Sequence, residues 1–118
     1  MKFICYPKCS TCAKARKYLQ AKGYSFEERN IQEDNPTPEE LMNWKELSGL
    51  PLKKFFNTSG LVYRSLQLKD RLPTMSDAEK YELLSSNGML VKRPILQDGD
   101  TVLVGFNEKK WNEALQNK

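Results

Sequence analysis

The chain has 118 residues, of which 39% are hydrophobic and 29% charged, with a formal net charge of +4. That length suits one domain with its own core, and the absence of any apolar run near the ~18 residues of a membrane span excludes an integral membrane protein of helical type. Lys and Arg alternate with Asp and Glu along most of the sequence, so a tract such as Lys14-Ala15-Arg16-Lys17 reads as a solvated helix face. No direct contact with nucleic acid is expected.

Lys2-Phe3-Ile4-Cys5-Tyr6 reads as a short buried strand, with no apolar stretch and small-residue cleavage site of a secretory signal around it. The expected compartment is the cytoplasm, where thiols stay reduced. Pro7-Lys8 punctuates the chain, and a helix is predicted from about Thr11 to Lys22, stopped by Gly23. Tyr24 to Ile31 alternates in part and completes a β-α-β unit, whose crossover should be right-handed and its strands parallel.

After Asp34-Asn35-Pro36 the pattern becomes helical. Thr37 caps and Pro38 opens a helix that runs from Glu39 to Leu47 and ends at Ser48-Gly49. Leu50-Pro51 begins a short helix through Phe55-Phe56, residues 57–60 form a loop, and Tyr63 to Leu72 is predicted as one helix. Ser76-Asp77-Ala78-Glu79 caps another that reaches about Ser85.

Pro94 to Gln97 and Thr101 to Gly105 then form a hairpin about a turn at Asp98-Gly99, and Asn107 caps a last helix with Trp111, Ala114 and Leu115 on one face. The order β-α-β, helices, β-β-α predicts an α/β protein with a four-stranded mixed sheet. This is the plan of a thioredoxin-like fold carrying a helical insertion at about 35–91, packed as part of a single domain.

Three cysteines are too few and odd in number for a disulfide framework, and Cys9-Ser10-Thr11-Cys12 falls at the predicted strand-to-helix turn. A helix N-terminus offers unpaired N–H groups and partial positive charge, which favour a thiolate. Cys9 is therefore the expected nucleophile. Cys12, within the first turn, is placed to attack a mixed disulfide on Cys9 as the resolving thiol. A zinc site is the competing use of a C-x-x-C pair, but the chain has no histidine and its third cysteine, Cys5, lies on the adjacent strand. Metal binding is not expected, and Cys5 reads as an inert core thiol. Arg93-Pro94 begins the third strand, and spacing leaves open whether Pro94 is cis with Arg93 beside the thiols or Arg93 is a surface residue before an edge strand. No glycine-rich phosphate loop of the usual nucleotide-binding form is present, and no bound cofactor is expected.

Tyr6-Pro7-Lys8-Cys9-Ser10-Thr11-Cys12-Ala13-Lys14-Ala15, Glu28-Arg29-Asn30-Ile31, Arg93-Pro94-Ile95-Leu96 and Val104-Gly105-Phe106-Asn107-Glu108 together resemble the ArsC/Spx family across almost the whole chain. The resemblance implies a catalytic cysteine at Cys9 and an active-site arginine at Arg93 before a cis-proline at Pro94. Ser10 and Thr11, with Pro94, would then line the substrate. Glutaredoxin-dependent arsenate reductases of the family use one loop cysteine and three arginines around the oxyanion. Asn57 and Gly105 stand where two of those arginines are expected, a loss of two bidentate partners that Arg64 or Arg71 would have to replace.

The C-x-x-C pair instead resembles Spx, a regulator that senses disulfide stress and binds the C-terminal domain of the RNA polymerase alpha subunit around a glycine of the helical insert. Gly49 lies near that place, while alignment back from Asn57 puts Pro51 there. The leading expectation is a thiol–disulfide oxidoreductase acting on a disulfide substrate or redox protein, with glutathione, glutaredoxin or thioredoxin as electron donor. The alternatives are an Spx-like regulator and an arsenate reductase.

Overall fold

The computed structural model describes residues 1–116. The chain divides into two units, one formed by Met1–Asn30 with the segment from Arg93 onward and the other by Ile31–Lys92.

The first unit holds the sheet. Its strands are β1 (Lys2–Cys5), β2 (Glu27–Asn30), β3 (Ile95–Asp98) and β4 (Thr101–Val104), in the order β2-β1-β3-β4. β1 runs parallel to β2 and antiparallel to β3, and β3 and β4 form the hairpin. This is the mixed sheet of a thioredoxin-like fold, and β1 lies inside it with three of its four residues buried. β2 is shorter than predicted because Tyr24 and Phe26 pack on the core before the ladder begins.

Two helices cover one face of the sheet, α1 (Ser10–Ala21) and, after four helices described below, α6 (Glu108–Gln116). Phe3, Cys5 and Leu96 from the strands meet Cys12, Ala15, Tyr18 and Leu19 of α1 and Trp111 and Leu115 of α6. The Trp111 indole N–H donates to the Gly105 carbonyl at 3.1 Å, and its ring stands edge-on to Tyr18 and Phe106. A buried indole thus finds both packing and a partner for its polar atom. α1 closes as predicted, with the N–H groups of Gly23 and Tyr24 donating to the carbonyls of Gln20 and Leu19.

The hairpin turn sits one residue later than predicted. Asp98 pairs with Thr101, so the two linking residues are Gly99 and Asp100. Gly99 has φ +60° while Asp100 keeps the ordinary sign. Only the first central position demands left-handed backbone, as in a type II′ turn, and glycine fills it.

The second unit contains α2 (Pro38–Ser48), α3 (Leu61–Ser65), α4 (Leu68–Arg71) and α5 (Asp77–Ser86), with short 3₁₀ turns after α2, α4 and α5. Thr37 and Glu40 on α2, and Ser76 and Glu79 on α5, form reciprocal capping boxes. An antiparallel bridge between Phe56 and Val91 ties the two ends of this stretch, with Lys92 N–H donating to Phe55 O at 2.8 Å.

The predicted helix over 63–72 is broken into α3 and α4 at Gln67, whose φ is +54°. Tyr63 and Leu68 are both buried, and five residues apart they would point about 140° from each other on one continuous helix. The break lets both face inward. α6 begins as predicted, with Asn107 accepting from the Lys110 N–H at 3.0 Å.

Candidate functional site

Tyr6-Pro7-Lys8-Cys9 is a tight turn between β1 and α1, closed by the Cys9 N–H donating to Tyr6 O at 3.0 Å. Proline at its second position supplies the fixed φ such a turn favours. The chain then enters the helix with Cys9 as the N-cap residue in extended backbone, and Ala13 N–H donating to Cys9 O at 3.0 Å. Ser10, Thr11 and Cys12 are the first three helical residues, one position earlier than predicted. A thiol therefore occupies the place where Ser, Thr or Asp usually receives the free N–H groups of the second and third helical residues, here Thr11 and Cys12.

This location sets the ionisation of Cys9. Burial opposes its thiolate, but the Cys12 backbone N–H, the Cys12 thiol, the Thr11 backbone N–H and the Arg93 charge outweigh it and lower the Cys9 pKa. Cys9 is half-buried, Ser10 is exposed and Thr11 is half-buried beside it. Cys9 is thus favoured as an anion and only half-buried.

Cys12 has the opposite environment. Its side chain is wholly buried, and its sulfur accepts from the Tyr6 N–H at 3.4 Å. Hydrogen bonding with Cys5 and burial hold its pKa far above the usual thiol range, with the charge of Cys9 adding to the effect. Adjacent thiols therefore differ sharply: one is inclined to ionise and one keeps its proton.

Arg93 stands with its guanidinium carbon 5.5 Å from the centroid of the Tyr6 ring, and the Arg93–Pro94 peptide is cis. Of the two placements open from spacing, the structure has the one in which the arginine charge acts on Cys9. Pro94 is buried, and its carbonyl accepts from the Gly105 N–H at 2.8 Å. Gly105 brings backbone to the hairpin here and no cation. Arg64 and Arg71 lie on α3 and α4 of the other unit, where Arg71 Nη1 donates to Leu66 O at 3.2 Å.

Two readings from the sequence need correction. Arg16 is no part of a solvated basic face: it is half-buried, with Nε 2.7 Å and Nη2 3.2 Å from the two oxygens of Glu28, and Nη2 3.5 Å from Cys5 Sγ. Cys5 is buried as expected, yet it is not isolated. The Cys12 hydrogen bond and Arg16 favour its thiolate, burial and the Glu28 charge oppose it, and its pKa is lowered on balance.

The Arg16 half of this arrangement has a signal in the spacing, and the Glu28 half comes from strand register. Arg16 lies four residues after Cys12 and so on the same helix face, and Glu28 pairs with Phe3, whose side chain shares a sheet face with Cys5. Among the described residues, no three His, Cys, Asp or Glu side chains are grouped as a metal site requires.

A model described as "ArsC family" matches residues 5–114. Protein YusI of Bacillus subtilis (strain 168) is 53% identical over 111 residues, which cover 94% of each chain. The regulatory protein MgsR of the same organism is 31% identical over 105 residues, covering 89% of this chain and 82% of MgsR. A solved structure of an ArsC family related protein from Bacteroides fragilis superposes with a TM-score of 0.90 at 51% identity, over 96% of this chain and 97% of that one. The turn that carries Cys9 and Cys12, the Arg93–Pro94 segment and strands β2, β3 and β4 all fall inside residues 5–114, and the chain belongs to the ArsC family.

Proposed function

We propose that this protein is a thiol–disulfide oxidoreductase in which Cys9 is the nucleophile, Cys12 the resolving thiol and Arg93 the cation that steadies the Cys9 thiolate or an anionic substrate. The observation that carries this reading is the asymmetry of the pair: a half-buried N-cap thiol with lowered pKa beside a buried thiol with raised pKa. Cys9 attacks a substrate disulfide, one substrate thiolate leaves, and a mixed disulfide forms on Cys9. Cys12 then attacks Cys9 Sγ, the second substrate thiolate leaves, and the Cys9–Cys12 disulfide is returned to dithiol by glutathione, glutaredoxin or thioredoxin. Ser10 and Thr11 follow the reacting Cys9 in the first helical turn, and with Pro94 they would contact the substrate.

The deciding experiment is a redox titration of wild type and Cys12→Ser in glutathione buffers, with thiol trapping and intact mass. A defined potential for an internal Cys9–Cys12 disulfide, replaced in the variant by a glutathione adduct on Cys9, supports the scheme. Proteins that remain reduced across the cytosolic range would refute it.

A second reading is favoured by the likeness to MgsR, which is named a regulatory protein. The same pair would then act as a redox switch, with the RNA polymerase alpha C-terminal domain as the partner that the Spx resemblance implies. Binding of that purified domain to the reduced or oxidised chain separates this reading from the first. Arsenate is a poorer substrate for these residues, because Gly105 offers no guanidinium where the reductases carry one; arsenate-dependent turnover tests it directly.

A further inference from the structure

The scheme above leaves Cys5 without a task and Cys12 without a base. To resolve a mixed disulfide, Cys12 must lose its proton, since the thiolate is the attacking species. The chain contains no histidine. Cys12 is wholly buried, and among the described residues the groups that act on its sulfur are the Tyr6 N–H, which donates, and the thiols of Cys5 and Cys9. Once Cys9 is joined to substrate its sulfur is no longer an anion and cannot take the proton. Cys5 remains.

Cys5 is equipped for that role. It lies on β1 with its side chain in the same buried cluster as Cys12, and Arg16 Nη2 donates to its sulfur at 3.5 Å. Arg16 is itself fixed by two bonds to Glu28 and stands 5.9 Å from the centroid of Phe3. A bidentate arginine in a partly buried setting is a pre-organised cation. We infer that Cys5 is the proton acceptor for Cys12 in the resolving step, in contact with a reacting sulfur, and that Arg16, held by Glu28, is the positioning residue that keeps Cys5 ready to accept.

The inference rests on the two-cysteine scheme and completes it. Where Cys5 is ionised, the Cys12 S–H proton passes to Cys5 Sγ as the Cys12 sulfur bonds to Cys9 Sγ. The bond from Cys9 Sγ to the substrate sulfur breaks, its electron pair leaves with the substrate thiolate, and the proton on Cys5 is later released to solvent or to that thiolate. The ionisable groups facing Cys5 are Cys12 and Arg16 from α1 and Glu28 from β2. The first two favour its thiolate and the third opposes it.

Rapid mixing with DTNB, an aromatic disulfide, reads the two steps separately: Cys9 releases one thionitrobenzoate on attack, and ring closure by Cys12 releases a second. In Cys5→Ala the second release should slow by about tenfold or more at pH 7, as loss of a general base does, and its rate–pH profile should move to higher pH. Arg16→Gln, which keeps all three cysteines, should move the same profile in the same direction by less. A merely structural role for either residue would alter stability and leave the pH profile in place. A second release in Cys5→Ala with wild-type rate and profile overturns the inference, as does peptide mapping that finds Cys5 within the wild-type disulfide. Failure of wild type to release a second thionitrobenzoate would instead overturn the resolving role of Cys12, and the inference with it.

Discussion

Gly88 is the position where a single methyl group should cost most. A Cβ built there falls 2.0 Å from the Ile31 carbonyl oxygen, 2.6 Å from its carbon and 2.9 Å from Asn35 Oδ1. The Gly88 N–H also donates to Asn35 Oδ1 at 2.9 Å. Its φ is not in the left-handed region. Without the clash, Gly88→Ala would therefore be expected to stabilise by about 0.4–1 kcal/mol through the unfolded chain. With it, backbone must retreat by more than an ångström, with an overpacking cost of about 1–3 kcal/mol, and the loss of the hydrogen bond adds about 1 kcal/mol. The net expectation is a loss of about 1–3.6 kcal/mol. Urea unfolding followed by tryptophan fluorescence measures it, with Trp44 reporting from the second unit and Trp111 from the first. At an m value of about 1.5 kcal/mol/M the Trp44 midpoint should fall by about 0.7–2.4 M. An unchanged or raised midpoint would show that the contact between Gly88 and Ile31 is not as tight as described.

Three other outcomes follow from the site and the caps. Alkylation of Cys9 by iodoacetamide, followed by mass, should titrate below the range of an ordinary thiol, and Arg93→Gln should raise that midpoint while leaving it below that range, because the Cys12 and Thr11 groups outrank the Arg93 charge. A midpoint in Arg93→Gln at or above that of an ordinary thiol would reverse that ranking. Thr37→Ala removes the capping box of α2 and should cost about 1 kcal/mol in urea unfolding, as should Ser76→Ala on α5; a cost near zero for both would mean the boxes do not persist in solution. For the reduced protein, the lowered pKa of Cys9 gives stability that is present above the unfolded thiol value and lost as pH falls through the folded one. The raised pKa of Cys12 works oppositely: above about pH 8.5 the unfolded thiol ionises while the folded one does not, so stability should fall by about 1.4 kcal/mol per pH unit. Urea midpoints of the reduced chain between neutral and alkaline pH should show that decline in wild type and a flatter profile in Cys12→Ala; parallel profiles would contradict the ionisation of Cys12 described above.

The parts of the fold that were legible in the sequence are those with local causes. Thr37-Pro38 and Ser76 before Glu79 each mark a helix start by chemistry that needs nothing beyond four residues, and both starts are where they were expected. The β1–α1–β2 unit was legible because Gly23 ends α1 and the apolar run of β1 is buried on both faces. The misreadings are non-local. Nothing between Tyr63 and Leu72 marks Gln67 as a break; it follows from the need to bury Tyr63 and Leu68 together. The shift of the hairpin turn by one residue depends on the register of β3 with β4, which Asp98-Gly99-Asp100 leaves open.

The same division runs through the site. The N-cap location of Cys9 follows from the strand-to-helix boundary, and with it the lowered pKa, because helix N–H groups act over one turn of local sequence. The environment of Cys12 could not be obtained that way, since it depends on which strand residue lies beneath the first turn of α1. That residue is Cys5, and its polar partners arrive from three directions: the thiol of Cys12, the guanidinium of Arg16 one helical turn further on, and the Glu28 carboxylate across the β1–β2 pairing. Read singly, Cys5 is a core residue, Arg16 a surface cation and Glu28 an edge-strand acid. Brought together by the parallel pairing of β1 and β2, they put a polarised thiol behind Cys12 in a chain without histidine, and on the proposed two-cysteine scheme that thiol is where the Cys12 proton would go.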